Sequence, residues 1–261
     1  MEDMKDMKDE FNPFSLAGKK VIVTGASSGI GRQCAIDISR IGGTVALIGR
    51  NEERLQETLE MLAGDGHLSY PVDLTDFDRI QDCVRAIVGK MGKIDGMVHC
   101  AGISTTLPFK YMSIDKMAHF FETNVYSALA LSREAVGKKY MNDGGSVIFL
   151  SSVMGEVGEV GKSLYGMTKG ALVSAVRSLA CEYAKRRIRF NCISPGAILT
   201  PINENLPHMK DPDKRELLEE KLLLGLGSVT DVSNSCIFLL SDASRWITGS
   251  NLVVDGGYTV R

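Results

Sequence analysis

Between residues 20 and 254 the chain alternates short runs rich in Val and Ile with longer amphipathic stretches, an order that few architectures accommodate. A run that is apolar at every position suits a strand buried on both faces, which needs helices above and below a mainly parallel sheet. Such runs fall at 20–24, 44–48, 67–72, 96–99, 146–151, 188–193 and 252–254. Helical stretches begin near Gly29, Glu52, Asp76, Ser113, Ser163 and Asp231, several of them opened by an Asp, Ser or Thr able to cap free N–H groups. Seven strands alternating with six helices predict an α/β doubly wound parallel sheet with helices on both faces.

The 261 residues, 44% of them hydrophobic, suffice for one large core, and no Pro/Ser-rich linker divides them. Residues 1–12 are polar and repeat Asp-Met-Lys, so they are expected to form a mobile tail ahead of a single domain over 13–261. The long irregular insert at 200–227 carries Leu206, Met209, Leu217, Leu218, Leu222, Leu223 and Leu224, enough apolar surface for a substrate lid.

Charge and composition exclude several classes. A net charge of -2 gives no global attraction to nucleic acid or to an anionic membrane. No apolar signal region opens the chain and no apolar run approaches a membrane span, so a cytoplasmic protein is expected. The six cysteines have no C-x-x-C spacing and mostly sit in apolar runs, as buried free thiols would. His67, His99, His119 and His208 are not spaced as a ligand set, and no catalytic metal is expected.

Three elements carry chemistry. Gly25, Gly29 and Gly31, in the form G-x-x-x-G-x-G, follow the first strand and open the first helix, where a pyrophosphate can approach the backbone and the helical N–H groups. Arg50 ends the second strand, where a guanidinium suits a ribose 2'-phosphate and a carboxylate would suit a 2'-hydroxyl. With Ser27 and Ser28 to assist, Arg50 favours NADP(H) over NAD(H). Tyr165 and Lys169 lie one helical turn apart, so the ammonium can lower the phenol's pKa, and Ser152 ends the fifth strand with a hydroxyl for a substrate oxygen.

From about Leu16 to its end the chain resembles the short-chain dehydrogenase/reductase family. The resemblance implies a Rossmann-type oxidoreductase in which residues 24–31 form the coenzyme loop and Asp73, followed by Leu74, binds adenine. It implies a catalytic tetrad of Asn124, Ser152, Tyr165 and Lys169, with Asn124 suited to hold a water linking Lys169 to solvent. Pro195, Gly196, Ile198 and Thr200 match the segment that holds the nicotinamide carboxamide, and Ile247-Thr248-Gly249 with Asp255-Gly256-Gly257 match the C-terminal signature. One motif departs: where the family has Asn-Asn-Ala-Gly, this chain has His99-Cys100-Ala101-Gly102, although Ala101 and Gly102 still let the main chain pass the adenosine ribose.

The family likeness points to a ketone or secondary alcohol as substrate, small or carrier-bound. It is strongest to 3-oxoacyl-carrier-protein reductases, with sugar or polyol dehydrogenases and hydroxysteroid dehydrogenases as alternatives. A non-catalytic dinucleotide-binding regulatory protein is the reading from another class, and the complete tetrad argues against it. Lys138, Lys139, Lys185, Arg186, Arg187 and Arg189 resemble the basic positions that hold an acidic carrier protein; they equally suit cations complementing helix C-termini on a solvated face. Against a carrier, Glu156 and Glu159 place negative charge near the substrate entrance. The small residues Gly170, Ala171, Ser174, Ala175 and Ser178 resemble the family's subunit-packing helix, so a homodimer or homotetramer is expected.

Overall fold

Successive side chains of the strands enter two different cores, as the period of two requires. In the computed structural model, which describes residues 12–200, 216 and 218–260, Ile22 belongs to one core and its neighbours Val21 and Val23 to the other. The same alternation separates Ala46 and Ile48 from Val45 and Leu47, and Val147 and Phe149 from Ile148 and Leu150.

The strands are β1 (Lys20–Thr24), β2 (Thr44–Gly49), β3 (Leu68–Pro71), β4 (Ile94–His99), β5 (Met141–Leu150), β6 (Arg189–Pro195) and β7 (Asn251–Val254). They form one parallel sheet in the order β3-β2-β1-β4-β5-β6-β7. The chain steps outward from β1 to β3 and then returns to β4 on the other side of β1. The carboxyl ends of β1 and β4 therefore flank the crevice in which open α/β sheets bind ligands.

The helices among the described residues are α1 (Gly29–Arg40), α2 (Glu52–Glu60), α3 (Ile80–Met91), α4 (Ile114–Phe121), α5 (Ser127–Ala135), α6 (Ser163–Tyr183) and α7 (Val229–Leu240). Val84 and Ile87 of α3, Leu131 of α5 and Leu172 and Val176 of α6 fill the core that contains Ile22. Cys34 and Ile38 of α1, Leu55 of α2 and Val232, Cys236 and Leu239 of α7 fill the other. The doubly wound sheet expected from the alternation is what forms.

Element ends differ from the sequence expectation for identifiable reasons. The helix expected near Asp231 begins at Val229, because Ser228 is its N-cap and Asp231, at the third helical position, closes a capping box with it. The helix expected near Asp76 is preceded by a short 3-10 turn, Phe77–Arg79. The one expected from Ser113 is split into α4 and α5 by a π turn over Glu122–Tyr126, a feature that often marks functional positions. Asn12 is described and accepts a hydrogen bond from Ser15 N, so structure begins one residue inside the expected tail; residues 1–11 lie outside the described set. Among the described residues no helix is long and apolar enough to cross a membrane.

Candidate active site

The residue after β1 cannot carry a side chain. Gly25 has φ +63°, and a Cβ there would lie 2.8 Å from Ala101 N at the end of β4. Without one, the glycine loop lies directly against the β4 terminus, where Thr24 Oγ1 accepts a hydrogen bond from Ala101 N at 3.1 Å. Above the two strand ends opens a cleft of about 820 Å³. Gly25, Ser27, Ser28, Gly29, Ile30, Gly31, Arg50, Asp73, Leu74, Ala101, Gly102, Pro195, Gly196, Ile198 and Thr200 all line it, as do Ser152, Tyr165 and Lys169. A floor of main chain and glycine beneath the N-terminus of α1 fits a dinucleotide pyrophosphate.

Asp73 turns back on its own loop, accepting from Thr75 N at 2.9 Å and Thr75 Oγ1 at 2.8 Å. Partial burial raises its pKa, but these bonds and Arg50 outweigh that and hold it below the usual value. Arg50 Nη1 lies 3.8 Å from Asp73 Oδ2, with its side chain 71% exposed just beyond the carboxyl end of β2. Arg54 lines the same end.

At the other end, Ser152 follows β5 and accepts from Met154 N at 3.2 Å, which opens a short 3-10 turn. That turn lies tightly on α6: a Cβ on Gly155 would lie 2.9 Å from Gly170 N, so the glycine at 155 sets the approach. Ser151 Oγ donates to Lys169 O at 2.9 Å and fixes the same contact. The Ser152 hydroxyl favours the ionised form of Tyr165, but burial outweighs it and raises the phenol to about 12. Burial lowers the Lys169 ammonium to about 8. Its Nζ donates to Leu150 O at 2.7 Å and lies 5.5 Å from the centre of the Tyr165 ring. In this geometry desolvation, rather than the ammonium, governs the phenol, and the lowered tyrosine pKa expected from the spacing is reversed.

Asn124 is the one member of the expected tetrad that does not line the cleft. It sits in the π turn, 1% exposed and behind the cleft wall. Its Oδ1 accepts from Ile103 N at 2.8 Å, and its Nδ2 donates to Ile103 O and Thr168 Oγ1, each at 3.0 Å. Both amide donors are thus engaged by protein, so the side chain holds the loop after β4 against α6 rather than donating to a water.

His99 occupies the space behind the same loop. Its ring stacks on Phe149 at 4.8 Å and its Nε2 pairs with Ser132 Oγ at 2.8 Å. Burial lowers it to about 3 and keeps it neutral. The departure from Asn-Asn-Ala-Gly thus puts a packed core residue where an asparagine was expected.

Two residues of the basic cluster have structural roles, while Lys138, Lys139, Lys185 and Arg187 are exposed. Arg186 donates from Nε to Asp143 Oδ1 at 2.7 Å, from Nη2 to Met141 O at 2.8 Å, and from Nη1 to Val136 O. Arg189 is buried and donates to Leu239 O at 2.7 Å. Both stand at the amino ends of β5 and β6, roughly 20 Å of strand from the cleft at about 3.3 Å per residue. Glu156 accepts from Asn251 Nδ2 at 2.9 Å, whereas Glu159 lines the cleft. Of the small α6 residues, Gly170 packs on Gly155 and Ala171 on the core, while Ser174 and Ser178 are exposed.

Of the expected lid, 201–215 and Leu217 lie outside the described residues, including Leu206, Met209 and His208. Leu218, Lys221 and Leu226 line the cleft and Leu222 is buried. Lys162, Met154, His119 and Tyr258 also line it and were not singled out from sequence. The legible signal for Lys162 was its position three residues before Tyr165. Cys34, Cys83, Cys192 and Cys236 are buried free thiols, but Cys181 is exposed. No group of three His, Cys, Asp or Glu side chains suited to a metal exists among the described residues.

The family model described as enoyl-(acyl carrier protein) reductase matches residues 25–259. The chain is 36% identical to the 3-oxoacyl-(acyl-carrier-protein) reductase FabG of Chlamydia pneumoniae, over 94% of this chain and 98% of that protein. It is 35% identical to an L-rhamnose 1-dehydrogenase (NAD(P)(+)) of a Sphingomonas species, again over 94% and 98%. Among solved structures, a short-chain dehydrogenase/reductase of Serratia marcescens superposes with a TM-score of 0.87 at 27% identity, covering 95% of this chain and all of that one.

Proposed function

The chain belongs to the short-chain dehydrogenase/reductase family, an oxidoreductase family acting on ketones and secondary alcohols with NAD(P)(H), and from that membership we propose that it reduces a 3-oxoacyl thioester-like ketone with NADP(H). The observation that carries the catalytic part is that Ser152, Tyr165 and a buried Lys169 line one cleft beyond the end of β5, with the Lys169 ammonium 5.5 Å from the Tyr165 ring. The nicotinamide, when bound, supplies the hydride. Tyr165, a neutral phenol at physiological pH, donates the proton to the carbonyl oxygen, and Ser152 hydrogen-bonds that oxygen. Lys169 holds the coenzyme ribose and keeps positive charge beside the phenol as it gives up its proton. Asn124 is a positioning residue, keeping the Ile103 loop and α6 in register.

The glycine loop 25–31 cradles the pyrophosphate, Asp73 and Leu74 meet adenine, and Ala101 and Gly102 pass the ribose. Pro195, Gly196, Ile198 and Thr200 hold the nicotinamide carboxamide. The exposed guanidinium of Arg50 beside Ser27 and Ser28 supports NADP(H) over NAD(H). Leu218, Lys221 and Leu226, from the segment expected as a lid, bound the cleft within the one domain. A homodimer or homotetramer would bury the exposed Ser174 and Ser178 face of α6, and the protein works in the cytoplasm. The rhamnose dehydrogenase likeness keeps a sugar substrate as the second reading. The test is coenzyme-linked absorbance with NADPH and NADH in parallel over acyl thioesters, keto sugars and ketosteroids. Turnover confined to a sugar or a steroid would replace the thioester assignment, and no turnover at all would remove the enzymatic one.

A further inference from the structure

One helical stripe of α6 and its N-cap carries an ammonium on each side of the Tyr165 phenol. Lys162 stands three residues before Tyr165 and Lys169 four residues after it, and all three line the same cleft. Lys169 reaches toward Leu150 O on the coenzyme side. Lys162 reaches the other way, toward the segment between β4 and α4, where its Nζ donates to Thr105 O at a long 3.4 Å. Leu107 N donates to Gly161 O at 2.8 Å and clamps that segment onto the turn bearing Lys162.

Lys162 is half-buried, and burial lowers its pKa while the Glu159 carboxylate opposes the shift. None of the ion pairs among the described residues includes it. An ammonium has three donors, and one long bond to a carbonyl does not replace the water it has lost. An acceptor oxygen inside the cleft would. Three residues of helix rise about 4.5 Å, so that oxygen belongs a few bonds from the one that Tyr165 protonates.

Resting on the oxidoreductase reading above, we propose that Lys162 is a specificity-determining residue that donates a hydrogen bond to a second substrate oxygen, 1,3-related to the reacting carbonyl, and so selects 3-oxoacyl compounds over simple ketones. Glu159 then acts as a counter-charge that keeps the ammonium protonated, not as a barrier to substrate.

The test uses two probes of equal length, the 3-oxobutanoyl thioester of N-acetylcysteamine and the 3-oxobutyl thioether, which lacks only the second carbonyl oxygen. Steady-state kcat and KM are measured for the wild type, Lys162→Met and Lys162→Arg. Lys162→Met should lower kcat/KM on the thioester at least about tenfold more than on the thioether, the range of a hydrogen bond to a charged group. The loss should fall mainly on KM, and Lys162→Arg should restore most of it. Equal losses on both probes, or none on either, would overturn the assignment of Lys162 while leaving hydride transfer standing. A wild type that oxidises coenzyme with neither probe but with keto sugars or ketosteroids overturns both the thioester substrate and this inference; one inactive on every ketone overturns the enzymatic reading itself.

Discussion

The Nζ of Lys169 donates a hydrogen bond to the carbonyl of Leu150 at 2.7 Å, two residues ahead of Ser152. One contact thus fixes the helix that carries Tyr165 to the strand that delivers Ser152. It also explains why the ammonium stays deep in the site although burial lowers it to about 8.

Lys169 gives a stability signature. Burial lowers its pKa from the ordinary 10.5 to about 8 on folding, so between those pH values the unfolded chain binds the proton and the native state does not. Lys169 therefore contributes stability that rises with pH across that window. Urea titrations at several pH values should show the stability of the wild type relative to Lys169→Met rising across it, and Lys169→Met should also turn over at least about a hundredfold more slowly.

Tyr165→Phe keeps the ring and removes the proton. Turnover should fall by at least about a hundredfold, the lower end of general acid-base contributions, while coenzyme binding by fluorescence stays nearly intact. Unchanged turnover would sink the assignment of Tyr165 as the acid.

Asn124→Ala leaves Ile103 N and O without their Asn124 partner and Thr168 Oγ1 with its bond to Tyr165 O alone. Denaturant unfolding should report a loss of about 1–3 kcal/mol, the cost of buried polar groups left unpaired. Turnover should fall as the Ile103 loop loosens.

Arg50→Asp should move preference toward NADH, read as the ratio of kcat/KM for the two coenzymes. A wild type that already prefers NADH would refute the role given to Arg50.

His99 should be visible in acid. Its pKa is lowered from 6.5 to about 3 by burial, so it contributes stability that is present above 6.5 and lost as pH falls toward 3. The wild-type advantage over His99→Asn should shrink through that window. An unchanged difference would mean the ring is not buried neutral.

Much of this protein was legible in local pattern. The runs around Val23 and Ile148 announce strands, because burial on both faces excludes polar side chains, and the spacing of Gly25, Gly29 and Gly31 announces a backbone open to phosphate. Tyr165 and Lys169 are neighbours wherever the segment is helical. The start of α7 was misjudged only because Asp231 can cap a helix or, as here, complete a box with Ser228.

The sequence by itself determined the parallel sheet and the phosphate-loop glycines, which follow from periodicity and spacing within a few turns of chain, while most other cleft residues were implied by the family resemblance. Only the tertiary structure decided that Asn124 is tied to Ile103 and Thr168, and that Arg186 and Arg189 are committed at the far end of the strands from the cleft. It alone decided that burial raises Tyr165 and lowers Lys169. The physical reason is common to all three. A side chain's partners and its loss of water are set by segments distant in sequence, and no spacing along the chain encodes which carbonyl will stand opposite an amide or an ammonium once the sheet has formed.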